Sequence, residues 1–136
     1  EFDALPPRER IAVDEHWRVV HAFGSALLGW LVLQPRRHVM EVSDLTDAEA
    51  VALGPWQTRL ARALAAETGA SKTYISSYGE MPGFHLHFHV APRPLDLDPS
   101  LRGPNSFGLL GRTPETGEVD EATRDAFAER LAVRLR

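Results

Sequence analysis

Phe84-His85-Leu86-His87-Phe88-His89-Val90 is the stretch on which the reading of this chain turns. Side chains alternate faces along a β-strand. In a strand over residues 84–91, His85, His87 and His89 project from one face. Phe84, Leu86, Phe88 and Val90 project from the other, into a core. Three of the six histidines are thereby stacked along one strand at two-residue spacing. Three readings of that stack are open. One is the polar face of an amphipathic strand, using histidine where Thr, Lys or Glu are commoner. The second is a metal site, since alternating His-x-His supplies two ligands to zinc or iron. The third is catalytic: imidazole changes charge near neutral pH and works as acid, base or nucleophile. No carboxylate pair accompanies the strand to complete a metal site.

Working outward, the pattern predicts mostly consecutive strands. Residues 1–9 read as an irregular lead-in, with Pro6-Pro7 blocking regular structure. Residues 10–14 and 17–23 read as strands joined at Asp14-Glu15-His16. Residues 29–34, with Trp30-Leu31-Val32-Leu33, form a nearly continuous apolar run that suits a strand buried on both faces. Pro35 ends it, because proline cannot donate to the ladder. Thr46 and Glu49 match a capping box, and Leu53, Trp56, Leu60 and Leu64 then recur at helical spacing. Gly69 is a C-terminal stop, and Gly54-Pro55 is expected to kink this helix or delay its start. Residues 72–78 read as a strand and 79–83 as a tight connection. The Pro- and Gly-rich stretch up to residue 118 reads as a long loop. Residues 120–136 read as a closing helix, with Phe127, Leu131 and Leu135 on one stripe. The fold class is therefore α+β: an antiparallel sheet of about five strands, one long helix and a C-terminal helix.

Composition sets the outer bounds. A chain of 136 residues fits one domain and buries roughly two-thirds of its unfolded surface, so it needs no disulfide or metal staple. It has no cysteine, which excludes a disulfide framework, a thiolate zinc site and a Cys nucleophile. Hydrophobic residues are 43% and charged residues 25%, an ordinary balance. No apolar run approaches the roughly 20 residues of a membrane span, and the first residues show no signal-peptide core. The net charge of −4 argues against general binding to a nucleic-acid backbone, though a local basic patch for a phosphorylated ligand stays open. These features read as a cytoplasmic protein with neither a membrane nor a nucleic-acid polymer as partner.

His85-Leu86-His87-Phe88-His89-Val90-Ala91 resembles the full motif of the histidine triad (HIT) family. Upstream, Gly29 to His38 resembles the family's Gly-x-φ-φ-φ-x-Pro-Lys/Arg-x-His strand end, and Leu45 to Glu49 the start of its long helix. The resemblance covers roughly residues 11–93; residues 94–136 match nothing in it. It implies one HIT-like domain over residues 1–136. It also implies hydrolysis or transfer at the α-phosphate of a nucleotide conjugate, of the dinucleoside polyphosphate or nucleoside phosphoramidate type. The middle histidine, here His87, would attack phosphorus and carry a covalent nucleotidyl group. His85 and His89 would orient it and contact phosphate, with His38 as a supporting histidine. No cofactor and no metal are needed, because imidazolium and backbone N–H groups stabilise the equatorial charge. Relatives are commonly symmetric dimers whose sheets continue across the interface, so a homodimer is expected.

The departures from the family pattern matter. The Gly-Gln-Ser/Thr run common before the triad is here Glu80-Met81-Pro82-Gly83-Phe84. Ala22-Phe23 is followed by Gly24-Ser25, where a ribose-binding Asp is common. An Asn common ahead of the loop is replaced within Ser76-Ser77-Tyr78, making Ser77 a candidate contact. A non-catalytic nucleotide-binding relative therefore stays open beside the enzyme, as does a His-ligated metal enzyme. Arg36 and Arg37 form an anion-attracting rim or a solvated turn. Arg93 reaches a phosphate or lies on the surface. Phe23 and Trp30 line a base pocket or fill a core. His16 and His21 fall outside the motifs.

Overall fold

The computed structural model describes residues 2–80 and 82–136. Met81 of the pre-triad loop lies outside them. The strands are β1 (Ala12–Val13), β2 (Trp17–His21), β3 (Leu31–Pro35), β4 (Lys72–Ser76) and β5 (Phe88–Arg93), and the helices α1 (Asp47–Thr68) and α2 (Glu121–Arg134). One sheet runs β1-β2-β3-β5-β4, every neighbouring pair antiparallel. The fold is α+β, as the pattern of consecutive strands required.

Each boundary has a local cause. The Thr46 hydroxyl accepts from the Glu49 amide at 3.1 Å, and the Glu49 carboxylate accepts from the Thr46 amide at 2.8 Å. This reciprocal cap starts α1 at Asp47. Pro55 therefore does not delay the helix; α1 runs on through it. Pro55 and Gly54 both lie on the exposed side, where the one forfeited hydrogen bond is met by solvent. Gly69 ends α1 at φ 77°, a left-handed conformation that suits glycine.

Strands β1, β2 and β4 are shorter than their apolar runs, and β5 starts at Phe88, not at residue 84. His85 and His87 thus stand on the extended approach to β5, which the Leu86 amide ties to the Val39 carbonyl at 2.7 Å. The Pro- and Gly-rich stretch carries three short 3-10 turns, Pro99–Leu101, Gly103–Leu109 and Pro114–Thr116.

The sheet's two faces differ. Trp17, Val19, Leu31, Leu33 and Val90 point toward the helices, where they pack with Trp56, Leu60, Leu64, Phe127 and Leu131. The α1 stripe is thus part of the chain's own core. The other face carries a smaller cluster of Ala22, Trp30, Ala91 and Leu109. The 3-10 segment around Phe107 covers only part of it. What is left open is a cleft.

Candidate active site

The register β3–β5 sets Val32 opposite His89, and β2–β3 sets Val20 opposite Val32. Paired residues share a face, so His89, Val32 and Val20 form a row on the open side. His87 comes in beside His89, their ring centres 4.8 Å apart. Together with Phe23, Ala22 and Leu110 they line a cleft of about 400 Å³. Phe88 and Val90 point the other way, into the core, as the alternation demands.

Hydrogen bonds settle the proton positions. His87 Nδ1 lies 2.9 Å from the His85 carbonyl, which only accepts. Nδ1 therefore carries the hydrogen, and neutral His87 keeps a free lone pair on Nε2. His89 is held oppositely. The Trp30 indole N–H, a donor only, lies 3.0 Å from His89 Nδ1. His89 Nδ1 accepts, so its hydrogen sits on Nε2. Burial, then the nearby His87, pushes the His89 pKa down to about 4. His89 is therefore neutral at pH 7 and offers one N–H. Phe107 stands edge-on to His89 at 5.0 Å and touches Trp30 and Tyr78 in the same manner, closing this side of the triad.

His85 serves elsewhere. Its Nε2 donates to the Pro35 carbonyl at 2.9 Å, and its ring packs 5.1 Å from that of His38. It lines a neighbouring cleft of about 510 Å³ with Gln34, Arg18 and Arg36. His38 is exposed and touches His85, away from the His87–His89 cleft. The Ser77 hydroxyl donates to the His87 carbonyl at 2.7 Å, clamping the backbone under that residue. Phe23 lines the cleft and is 86% exposed at its mouth. Arg93 is not brought to the cleft: it ends β5 opposite Lys72, four residues and roughly 13 Å beyond His89.

Other sequence candidates resolve just as plainly. Arg37 is not free for an anion; its guanidinium donates to Glu49 at 2.8 and 3.2 Å. That pairing, with the Thr46 cap, pulls the Glu49 pKa down to about 2. Ser25, in place of the ribose-binding Asp, is fully buried and donates to the Leu27 carbonyl at 2.8 Å. His21 is buried and structural, its Nε2 accepting from the Gly29 amide at 2.9 Å and its Nδ1 donating to the Ala22 carbonyl at 2.8 Å. Among the described residues no group of three His, Asp or Glu side chains is placed to hold a metal ion, and no helix is long and apolar enough to cross a membrane.

Val20, Val32, Gln34, Leu110 and Gly111 are site residues that motif reading missed. The first three carried a signal, since period-two alternation puts them on the histidine face. Phe107, Leu110 and Gly111 carried none, because they come from the stretch without motif resemblance.

No family model matches the chain, and no curated protein matches it. Solved structures do. A histidine triad protein from Sinorhizobium meliloti is 26% identical, with 92% of this chain and 87% of that one covered and a TM-score of 0.74. A zinc-bound histidine triad family protein from Mycobacterium smegmatis is 22% identical over 98% and 86% of the two chains, TM-score 0.68. Diadenosine triphosphate hydrolase of Plasmodium falciparum, in complex with cyclomarin A, is 11% identical over 96% and 78%, TM-score 0.71. In its fold, and in the three alternating histidines that lead into the interior strand β5, the chain is similar to histidine triad proteins.

Proposed function

We propose that the chain is a nucleotide hydrolase or transferase that works through a covalent nucleotidyl group on His87. The observation that carries this reading is the 2.9 Å contact of His87 Nδ1 with the His85 carbonyl, which leaves Nε2 free to attack. Nε2 forms a bond to the α-phosphorus, and the leaving group departs with the electron pair of its own bond to phosphorus. Water or another acceptor then attacks phosphorus, and the N–P electron pair returns to Nε2 as the acceptor gives up its proton. The neutral His89 N–H donates to an equatorial phosphate oxygen. Val20, Val32, Phe23 and Leu110 offer the nucleoside apolar surface in the same cleft.

The same reading takes residues 1–136 as one HIT-like domain acting in the cytoplasm on a small nucleotide conjugate, with neither a membrane nor a nucleic-acid polymer as partner. It acts as a homodimer. β4 lies at one edge of the sheet and exposes Ile75 there, which suits a sheet continued by a second copy. A monomeric mass by light scattering at micromolar protein contradicts the dimer.

The test of the activity is turnover of a graded set of AMP conjugates by wild type and His87→Ala, with EDTA present. Loss of a nucleophile costs several orders of magnitude. Wild-type turnover that survives EDTA and vanishes in His87→Ala supports the reading. Near-normal turnover by the variant refutes it, and nucleotide binding without turnover by the wild type favours a non-catalytic relative.

A further inference from the structure

Phe23 stands at the mouth of the His87–His89 cleft and is 86% exposed, so packing does not place its ring. Phe23 and Gly24 also lie beyond the end of β2, where no ladder pairs their backbone. Other groups hold the chain on either side of the ring. Before it, the Ala22 carbonyl accepts from His21 Nδ1 at 2.8 Å and from Arg124 Nη1 at 3.4 Å. After it, the Gly24 carbonyl accepts from the Arg112 amide at 2.8 Å. The Gly24 amide donates to Glu118 Oε2 at 2.8 Å.

Glu118 joins the two sides. The oxygen that accepts from Gly24 lies 3.8 Å from Nη2 of the buried Arg124, whose Nη1 reaches Ala22. One carboxylate thus fixes the residue after Phe23 directly and the residue before it through Arg124. The backbone of Glu118 is held independently of its side chain. Its amide donates to the Thr113 carbonyl at 2.9 Å, and the next amide, that of Val119, donates to the Ser25 carbonyl at 2.9 Å. Losing the carboxylate therefore leaves the Gly24 amide without its acceptor and loosens the turn that carries Phe23, not the segment that carries Glu118. The same C-terminal segment supplies Leu110 and Gly111, which line the cleft together with Phe23.

We propose that Glu118 is a positioning residue for nucleobase binding: its carboxylate holds Phe23 as a pre-set aromatic platform at the cleft mouth. The proposal rests on the reading of the cleft as a nucleotide site and names what fixes its base-binding wall. An exposed ring gains on binding by excluding water from the flat face of a base. That gain is largest where the ring is already in place, because no ordering cost is then paid on binding. Glu118 touches neither the phosphate nor the triad in this arrangement. Its loss should therefore be felt by ligands that carry a base and spare those that do not.

The experiment compares AMP p-nitrophenyl ester with ribose 5-phosphate p-nitrophenyl ester, its counterpart without a base. Wild type, Phe23→Ala, Glu118→Ala, Glu118→Gln and the double variant of Phe23→Ala with Glu118→Ala are assayed. Phe23→Ala should lower the ratio of kcat/KM values, AMP ester over baseless ester, about tenfold, the scale of one base–aromatic stack. Glu118→Ala should lower the ratio in the same direction, through KM and not kcat. Glu118→Gln keeps an oxygen that accepts from Gly24 and should restore most of the ratio. The double variant should lose no more than Phe23→Ala alone, because Glu118 acts through that ring. An unchanged ratio in Phe23→Ala or Glu118→Ala, or losses that add in full in the double variant, overturns the proposal. If Glu118→Ala does not fold, Glu118→Asp takes its place with the same expectations, since it keeps the charge but withdraws it from Gly24. If wild type cleaves neither ester, the catalytic reading fails by itself, and calorimetry with AMP decides the proposal. AMP binding that Glu118→Ala weakens and Glu118→Gln keeps supports it; binding that Glu118→Ala leaves unaltered, or no binding by wild type, overturns it.

Discussion

Replacing Trp30 with Phe removes one hydrogen-bond donor and leaves the aromatic contact with Phe107 largely in place. Trp30 is 1% exposed, and its indole N–H is the partner of His89 Nδ1 at 3.0 Å. Leaving a buried acceptor unsatisfied costs about 1–3 kcal/mol. The smaller ring adds a packing loss on the order of 1 kcal/mol. Trp30→Phe should therefore lower stability by about 2–4 kcal/mol in urea denaturation. A double-mutant cycle with His89→Phe isolates the hydrogen bond, and a coupling of about 1 kcal/mol or more is expected. Nitrogen NMR of the wild type at pH 7 should show His89 protonated on Nε2 and bare on Nδ1. The variant frees Nδ1, so part of the population should shift its hydrogen there and withdraw the donor from the cleft. Turnover should fall in step with the fraction of His89 whose hydrogen moves to Nδ1, short of the roughly hundredfold cost of losing a charge-stabilising donor from every molecule. A wild-type His89 with its hydrogen on Nδ1, or a coupling energy near zero, refutes the reasoning.

Two further outcomes test the frame around the site. Gly29 adopts φ 96°, and a Cβ there would meet the Pro92 and Phe127 side chains at 3.1 and 3.2 Å. Gly29→Ala should cost about 1–3 kcal/mol by chemical denaturation, and an unchanged midpoint contradicts the strain. His21 has its pKa pushed down to about 4, mainly by burial and then by Arg124. The unfolded chain therefore takes up a proton near pH 6.5 that the native state refuses, so stability falls as pH drops from 6.5 toward 4. The loss by pH 5 is about 2 kcal/mol from His21, with His89 acting in the same direction. His21→Asn should lose correspondingly less stability than wild type between pH 7 and pH 5, and equal losses contradict the assignment.

The sheet and the triad were legible because two periodicities are written plainly. Alternation of apolar residues with His85, His87 and His89 marks a half-buried strand entry, and Thr46 with Glu49 marks the helix start. The division of labour within the triad was not legible. Alternation alone puts all three imidazoles on one face. The strand, however, begins only at Phe88, and the preceding extended turn sends His85 to the Pro35 carbonyl and toward Arg18. Trp30 read equally well as core or pocket wall, because nothing local reveals which atom an indole N–H will meet. Phe107 was invisible for a different reason. It reaches His89 through a Pro- and Gly-rich segment whose path depends on contacts distant in sequence, such as the Arg112 amide with the Gly24 carbonyl at 2.8 Å. The Leu53, Trp56, Leu60 and Leu64 stripe was legible as a helix from its period, but its partners were not: the sheet and α2 bury it.

The central claim is tested most directly by trapping the reaction. Enzyme mixed with excess diadenosine tetraphosphate or AMP p-nitrophenyl ester is quenched within a turnover, in alkali that preserves a P–N bond, and digested for mass spectrometry. The account predicts an adenylyl group on the peptide containing the triad, localised by fragmentation to His87 and absent from His87→Ala. Turnover with an adduct on His85 or His89, or with no adduct under conditions where the second step is slow, would contradict it.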